Sequence, residues 1–227
     1  GQLIDLNTKE ILGTRIAFNK QASYGSDVIT RIVYASEPFG LEKLNTAVVD
    51  NINEIILDLA ARSGVNLGDI YAIVCAGNMT MMHLLLKIDP SNIRKAPYVP
   101  TTSVFPTIHP PEIRVEANAK GIMSFLPGVS TYVGGDTVAG VLACGLSEWD
   151  GLSVLVDIGT NGEIVIGNRD FLVCASASAG PAFEGAECRC GMRATRGAVD
   201  HISLADANNV LSYSTIGSAL PLGLSGT

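Results

Sequence analysis

An α/β protein of two related lobes is the fold this sequence predicts, and three features of the chain predict it. A short hairpin opens the chain and a second hairpin-led unit begins after Gly151; strands and helices alternate between them; and two apolar strands end in glycines beside an acid, Asp136 and Asp157. Hairpin-led units extended by strand and helix crossovers make a pair of lobes with a cleft between them.

Residues 2–6 and 11–18 read as the opening hairpin, with Asn7 and Thr8 supplying the turn chemistry. Helices follow over 26–35 and 41–62. In the second, Leu41, Leu44, Val48, Ile52, Ile55, Ile56 and Leu59 form one stripe, and Gly64 ends it. The apolar run 69–76 is a central strand covered on both faces, and Asn78 opens the helix that carries His83. The proline-rich stretch 89–111 predicts an extended segment crossing the surface, available to a neighbouring lobe or a partner. Strands are expected at 121–126 and 129–133, a turn at Gly134-Gly135 and a small-residue helix over 136–145. Residues 148–151 mark the lobe boundary, so that 1–149 is the first lobe and 150–227 the beginning of the second. There the pattern is strand 152–158, turn 159–162, partner strand 163–167 and a third strand 171–175. Residues 180–197 read as a structured loop with one helical turn, and 223–227 as a glycine turn.

Of the 227 residues, 47% are hydrophobic and 16% charged, the balance of a chain that buries a core. The net charge of -7, with no block of Lys or Arg, disfavours nucleic acid and anionic lipid as partners. A polyanionic ligand therefore needs a local site. The longest apolar stretches fall short of the ~18 residues of a membrane span, and residues 1–11 carry Asp, Lys and Glu rather than a leader pattern. The expectation is a cytoplasmic protein without a membrane partner. Five cysteines lack the paired CxxC spacing of a zinc or iron–sulfur site. Cys75, Cys144 and Cys174 read as small buried hydrophobes, and the CxC spacing of Cys188 and Cys190 suits no single metal.

The sharpest chemical signal is the strand Val154-Leu155-Val156-Asp157 entering Ile158-Gly159-Thr160-Asn161-Gly162-Glu163. Glycines here would permit positive φ and let backbone N–H groups approach a phosphate, Thr160 would add a hydroxyl, and Asp157 would hold a magnesium-bound water. The competing reading is an ordinary hairpin turn, for which Asn161-Gly162 is sufficient. A second candidate is Gly134-Gly135-Asp136-Thr137, where Asp136 is either a ligand-facing acid or a helix N-cap. Both acids stand at the carboxyl ends of strands, which in an open α/β sheet face the ligand crevice. A third is the small-residue run through Ser178 and Gly180, continuing to Cys190-Gly191-Met192-Arg193-Ala194; it serves either close ligand approach or tight packing. His83 reads as a packed helix residue, and His109 and His201 show no metal spacing.

Taken together, residues 24–32, residues 77–85, the 157–163 stretch, and 179–184 with 191–194 closely resemble the reductive activators of corrinoid-dependent methyl transfer. The resemblance spans nearly the whole chain. It implies a ribonuclease H-like fold of the actin, Hsp70, acetate and sugar kinase (ASKHA) type, truncated at both ends, that binds ATP and Mg2+ between its lobes. By that likeness, 157–162 is the second phosphate loop, and Gly135-Asp136-Thr137 is a connecting segment whose acid lies near the γ-phosphate. The start of the adenosine loop is supplied by Gly223, Ser225 and Gly226. Asp136 and Asp157 would then be the catalytic acids, and Asp157 would hold Mg2+ through water. The likeness also implies a first phosphate loop on a strand before Gly1, and an iron–sulfur cluster in a separate N-terminal domain. The implied activity is an ATPase that drives reduction of a Co(II) corrinoid to Co(I) on a partner corrinoid protein or corrinoid-dependent methyltransferase, with a homodimer left open. This fragment alone would be inactive. The rival functions are a small-molecule kinase of the same fold, an activator of a radical dehydratase, and a non-catalytic scaffold.

Overall fold

The computed structural model describes residues 1–159, 161–178, 189–205 and 210–225. They fall into two compact units, Gly1–Val156 with Ile164–Ser176, and Asp157–Glu163 with Ala177–Thr227.

The first unit opens with β1 (Gln2–Ile4) and β2 (Ile11–Thr14), an antiparallel pair with Leu3 opposite Gly13. Asp5 organises the turn, its Oδ1 accepting from the N–H groups of Asn7 at 2.7 Å and Thr8 at 3.0 Å. The side chain that makes the turn thus comes from just before it, not from Asn7. Helix α1 (Val28–Ala35) begins at a capping box in which Asp27 accepts from the Thr30 N–H. Helix α2 (Gly40–Ser63) ends where Gly64 takes a left-handed conformation with φ 67° and donates to Ala60 O. Strand β3 (Ala72–Cys75) leads into α3 (Met79–Leu85), whose N-cap Asn78 accepts from the Met81 N–H at 2.9 Å. β4 (Ile122–Phe125) lies parallel to β3, Ala72 opposite Ile122 and Cys75 opposite Phe125.

The core of this unit joins Ile32, Val48, Val49, Met79, Met82, Leu85, Met123 and Phe125, and it also takes in Ile93 and Phe105. The 89–111 stretch is therefore anchored inward as well as exposed: Pro90, Ile93, Phe105 and Pro110 are buried. Three asparagines of α2 tie this helix to distant backbone. Asn45 Nδ2 donates to Leu84 O at 3.3 Å and Leu85 O at 2.7 Å, while its Oδ1 accepts from Arg114. Asn51 bridges Phe18 O and the Lys20 N–H, and Asn53 bridges Arg114 O and the Glu116 N–H.

No strand forms over 129–133. The Val129 and Ser130 N–H groups both turn back to Val133 O, closing a tight loop before α4 (Gly135–Ala143). Beyond it come β5 (Ser153–Ile158), β6 (Asn161–Gly167) and β7 (Leu172–Ser178), in the order β5-β6-β7. β6 begins at Asn161, so Asn161 and Gly162 belong to a strand rather than to the expected turn.

The second unit contains β8 (Ala198–Ala205), β9 (Val210–Thr215) and β10 (Gly223–Leu224), with β8 central, antiparallel to β9 and parallel to β10. Residues 223–224 are thus a strand, not a turn. Most of the expected helical turn in 180–197 lies outside the described residues; 189–197 holds none.

Candidate functional site

In the first unit the candidate residues gather where α4 starts. Gly134 is the N-cap of α4, at φ -90° and ψ -171°, so Asp136 is a first-turn residue and not the cap. Two glycines are needed because the helix start is pressed onto backbone: a Cβ on Gly134 would lie 2.7 Å from Asn78 Cα and 3.0 Å from Gly77 O, and one on Gly135 would lie 2.5 Å from Leu126 O. This close approach brings the turn after β3, the end of β4 and the start of α4 together. Asp136 is exposed, its Oδ1 accepts from the Thr137 N–H at 2.9 Å, and it lines a large cavity with Ala76, Gly77 and Asn78. Thr137 is buried, which leaves Asp136 as the side chain of this segment open to a ligand. The free N–H groups of a helix's first turn favour a negative ligand, whereas the Asp136 carboxylate repels one unless a cation intervenes.

Beneath the turn the packing is closed. His83 is fully buried, its Nδ1 within 2.8 Å of Met79 O and its ring edge-on to Phe105; its Nε2 has no hydrogen-bond partner. Burial pushes its pKa down, opposed by the Met79 bond and the Asp89 charge. A neutral imidazole donating through Nδ1 fits these contacts. Burial likewise pushes the Cys75 thiol up to about 11, so this cysteine behaves as the expected apolar filler. Cys144 does not, being exposed at the C-cap of α4.

In the second unit Asp157 is exposed near the end of β5. Gly159 donates its N–H to Asn161 O at 2.9 Å. Neither Gly159 nor Gly162 has a positive φ; among the described residues, a Cβ on Gly159 would meet Asn161 O at 3.6 Å and one on Gly162 would meet Ala177 O at 3.9 Å. Glycine is not demanded here by backbone conformation, contrary to the expectation from sequence. Among the described residues, the two glycines provide open space, with half-buried Asn161 and Glu163 flanking it. Thr160, Gly180 and Gly226 lie outside the described residues, as do Cys188 and the side chain of Ser178.

The remaining pair is packed. A Cβ on Gly223 would lie 2.5 Å from Cys190 O and 3.0 Å from the Met192 side chain, and Ser225 is buried with its N–H on Val199 O. Gly223 is thus explained by the strand pairing that holds β10 beside 190–192. The β8–β9 pair went unread in the sequence, although the alternation at Ile202 and Leu204, then Leu211 and Tyr213, signals it. Among the described residues, no group of three or more His, Cys, Asp or Glu could hold a metal ion. No described helix is long and apolar enough to cross a membrane.

Comparison with known proteins matches residues 1–149 to the RACo middle region and residues 151–227 to the C-terminal domain of RACo, the ASKHA domain. The chain belongs to the RACo family. Its fold is the two-lobed α/β ASKHA fold, and the solved structure of a reductive activator for corrinoid, iron–sulfur protein superposes with a TM-score of 0.78 at 46% identity, over 99% of this chain and 36% of that one. The corrinoid activation enzyme RamQ of Eubacterium limosum is 36% identical over 228 residues, which are 100% of this chain and 38% of RamQ. The Co(II) methylated amine-specific corrinoid protein reductase of Methanosarcina barkeri is 26% identical over 87% of this chain and 37% of its own length. The chain thus spans little more than a third of these RACo-type relatives.

Proposed function

We propose that this chain is the nucleotide-binding part of a longer reductive activator, in which ATP binding and hydrolysis drive reduction of an inactive Co(II) corrinoid to Co(I) on a partner corrinoid protein or methyltransferase. The observation that carries the reading is the end-to-end match to RACo regions, supported by relatives whose names state corrinoid activation or reduction.

The residues present fit ATP and Mg2+ in two respects. Asp157 is an exposed carboxylate beside open space at Gly159 and Gly162, and Asp136 is an exposed carboxylate at a helix start. Asp157 would hold magnesium through a water, and magnesium would supply charge neutralisation of the phosphates. Gly159 and Gly162 admit the phosphate by lacking side chains. Because the Gly159 N–H is engaged with Asn161 O, its part is steric rather than hydrogen bonding. Asp136 would orient a water, since it accepts from Thr137 through one oxygen and keeps the other available. Binding energy would bias a conformational equilibrium of the longer protein, and electron delivery would fall to an iron–sulfur domain outside this chain.

The test is made on the longer protein. Asp157→Ala and Asp136→Ala should each lower ATP hydrolysis at least tenfold while circular dichroism stays that of the wild type. Wild-type hydrolysis by both removes these acids from the site. In parallel, this chain alone, given ATP and a chemical reductant, should produce Co(I) absorbance no faster than the reductant by itself; a faster rate would overturn the assignment of electron delivery elsewhere.

A further inference from the structure

Two loops of the first unit are stitched into one exposed apolar surface. The Thr131 hydroxyl donates to Tyr98 O, and the Gly128 N–H donates to Ser103 O at 2.8 Å. These bonds set residues 95–104 beside residues 128–133, and the Tyr98 and Tyr132 rings meet with centroids 6.3 Å apart. Tyr98, Val99, Val104, Val129 and Tyr132 are 47–68% exposed. Single apolar residues on a surface are ordinary, whereas five brought together by two clamped loops form a patch that calls for an occupant.

Neither loop contains a strand, so a sheet edge or a bare sheet face does not account for this surface, as it does for exposed Ile4, Val74, Val154 and Val156. Tyr98 also holds a left-handed backbone, φ 60°, fixed by its N–H on Lys95 O at 2.6 Å. A residue with a Cβ adopts that conformation against its preference, and strain kept at an exposed aromatic side chain is the mark of a working surface. Charge borders the patch on one side. Arg94 and Lys95 are exposed and form no ion pair among the described residues. Residues 90–111 and 126–135 contain no acid, although the chain as a whole carries a net charge of -7. The border is positive on a negative molecule.

We infer that the partner corrinoid protein docks on this Tyr98–Tyr132 surface, through a face that is apolar at its centre and carries carboxylates at its rim. The inference rests on the function proposed above, in which the electron acceptor is a protein and must be seated somewhere. Two tyrosines and an arginine are the side chain types that carry most of the binding energy at protein interfaces. A cationic border fixes orientation as well, because an acidic partner face is repelled by the rest of an acidic chain and attracted only here. The 128–133 loop runs directly into Gly134, the N-cap of α4, with Asp136 two residues further on. The docked partner therefore borders the segment that carries one of the two candidate acids.

The test uses the longer protein and the Co(II) corrinoid protein it reduces, with KM for the corrinoid protein read from the rate at which Co(I) absorbance appears. Arg94→Glu combined with Lys95→Glu should raise KM at least tenfold, leave kcat within about twofold, and flatten the rise of KM with NaCl between about 50 and 300 mM. Tyr132→Ser, and Tyr98→Asn, which keeps the left-handed backbone, should each raise KM about tenfold while the salt dependence stays that of the wild type. Lys120→Glu, an exposed charge at the opposite end of β4, should leave KM unchanged. Hydroxyl-radical footprinting should label Tyr98 and Tyr132 in the longer protein alone and protect both once the corrinoid protein is added to saturation. Protection of the two tyrosines without the corrinoid protein overturns the inference, because the same polypeptide or a second copy then covers the surface. Wild-type KM in the three patch variants overturns it too, and leaves the proposed function standing. A wild-type protein that reduces no corrinoid protein instead removes that function, and this docking surface with it.

Discussion

Alanine at Gly134 places a methyl group 2.7 Å from Asn78 Cα and 3.0 Å from Gly77 O, well inside the ~3.5–4.0 Å of a comfortable contact. Both neighbours are backbone of the turn that starts α3, so relief requires the whole start of α4 to move. The φ of -90° is open to alanine, and no backbone strain is added. Overpacking of this kind costs about 1–3 kcal/mol. For a chain of this size each kcal/mol is worth about 2–4 °C, giving a fall in Tm of about 2–12 °C. Among the described residues, alanine at Gly159 meets nothing nearer than Asn161 O at 3.6 Å, and it should change stability by no more than about 0.5 kcal/mol. Valine there should leave Tm nearly unchanged while weakening nucleotide binding at least tenfold in the longer protein, since its bulk enters the open approach. Thermal unfolding followed by circular dichroism compares the variants directly. A Gly134→Ala chain that melts with the wild type, or a Gly159→Ala chain that melts as early as Gly134→Ala, refutes the distinction between a glycine needed for contact and a glycine needed for space.

Asn45→Ala leaves the Leu84 and Leu85 carbonyls and Arg114 short of a partner, and should cost about 1–3 kcal/mol in urea unfolding; a shift within experimental error would show that water replaces it. His83 has its pKa lowered by burial, so its contribution is fully present above the unfolded value of ~6.5 and is lost as pH falls through the folded value. Between about pH 7 and pH 5, wild type should therefore lose stability relative to His83→Phe, and parallel pH profiles would exclude His83 as the cause. Iodoacetamide at mildly alkaline pH should label exposed Cys144 and Cys190 before Cys75, whose thiol burial pushes up to about 11; early modification of Cys75 on peptide mapping would contradict that burial.

The helices were legible because their ends are written in local chemistry. Asp27 and Asn78 accept from the third residue of their helices, and Gly64 takes the left-handed conformation that stops α2. The expected strand at 129–133 fails because two N–H groups fold back onto one carbonyl, a choice that apolar alternation does not reveal. Gly134 and Gly159 look alike in sequence, each following an apolar strand beside an acid, yet one is pinned by backbone and the other faces open space. Spacing locates such residues; only the neighbours brought in by the fold assign their reason. Gly223 shows the same limit: its glycine answers Cys190 and Met192, more than thirty residues upstream.

The asparagines of α2 have a consequence for how this family can vary. Asn45, Asn51 and Asn53 each hold main-chain atoms, at 84–85, 18–20 and 114–116. A bond to a carbonyl or an amide survives most changes of the side chain that carries it, so the anchored segments are free to drift in sequence while the three anchors are not. Pairwise covariation, the usual trace of a contact between two side chains, should then be faint at Asn51 and Asn53, whose importance would surface instead as intolerance at one residue set against latitude at its partners, whereas Asn45 also meets the Arg114 side chain. Proline is the exception at Lys20 and Glu116, because it would delete the N–H being held.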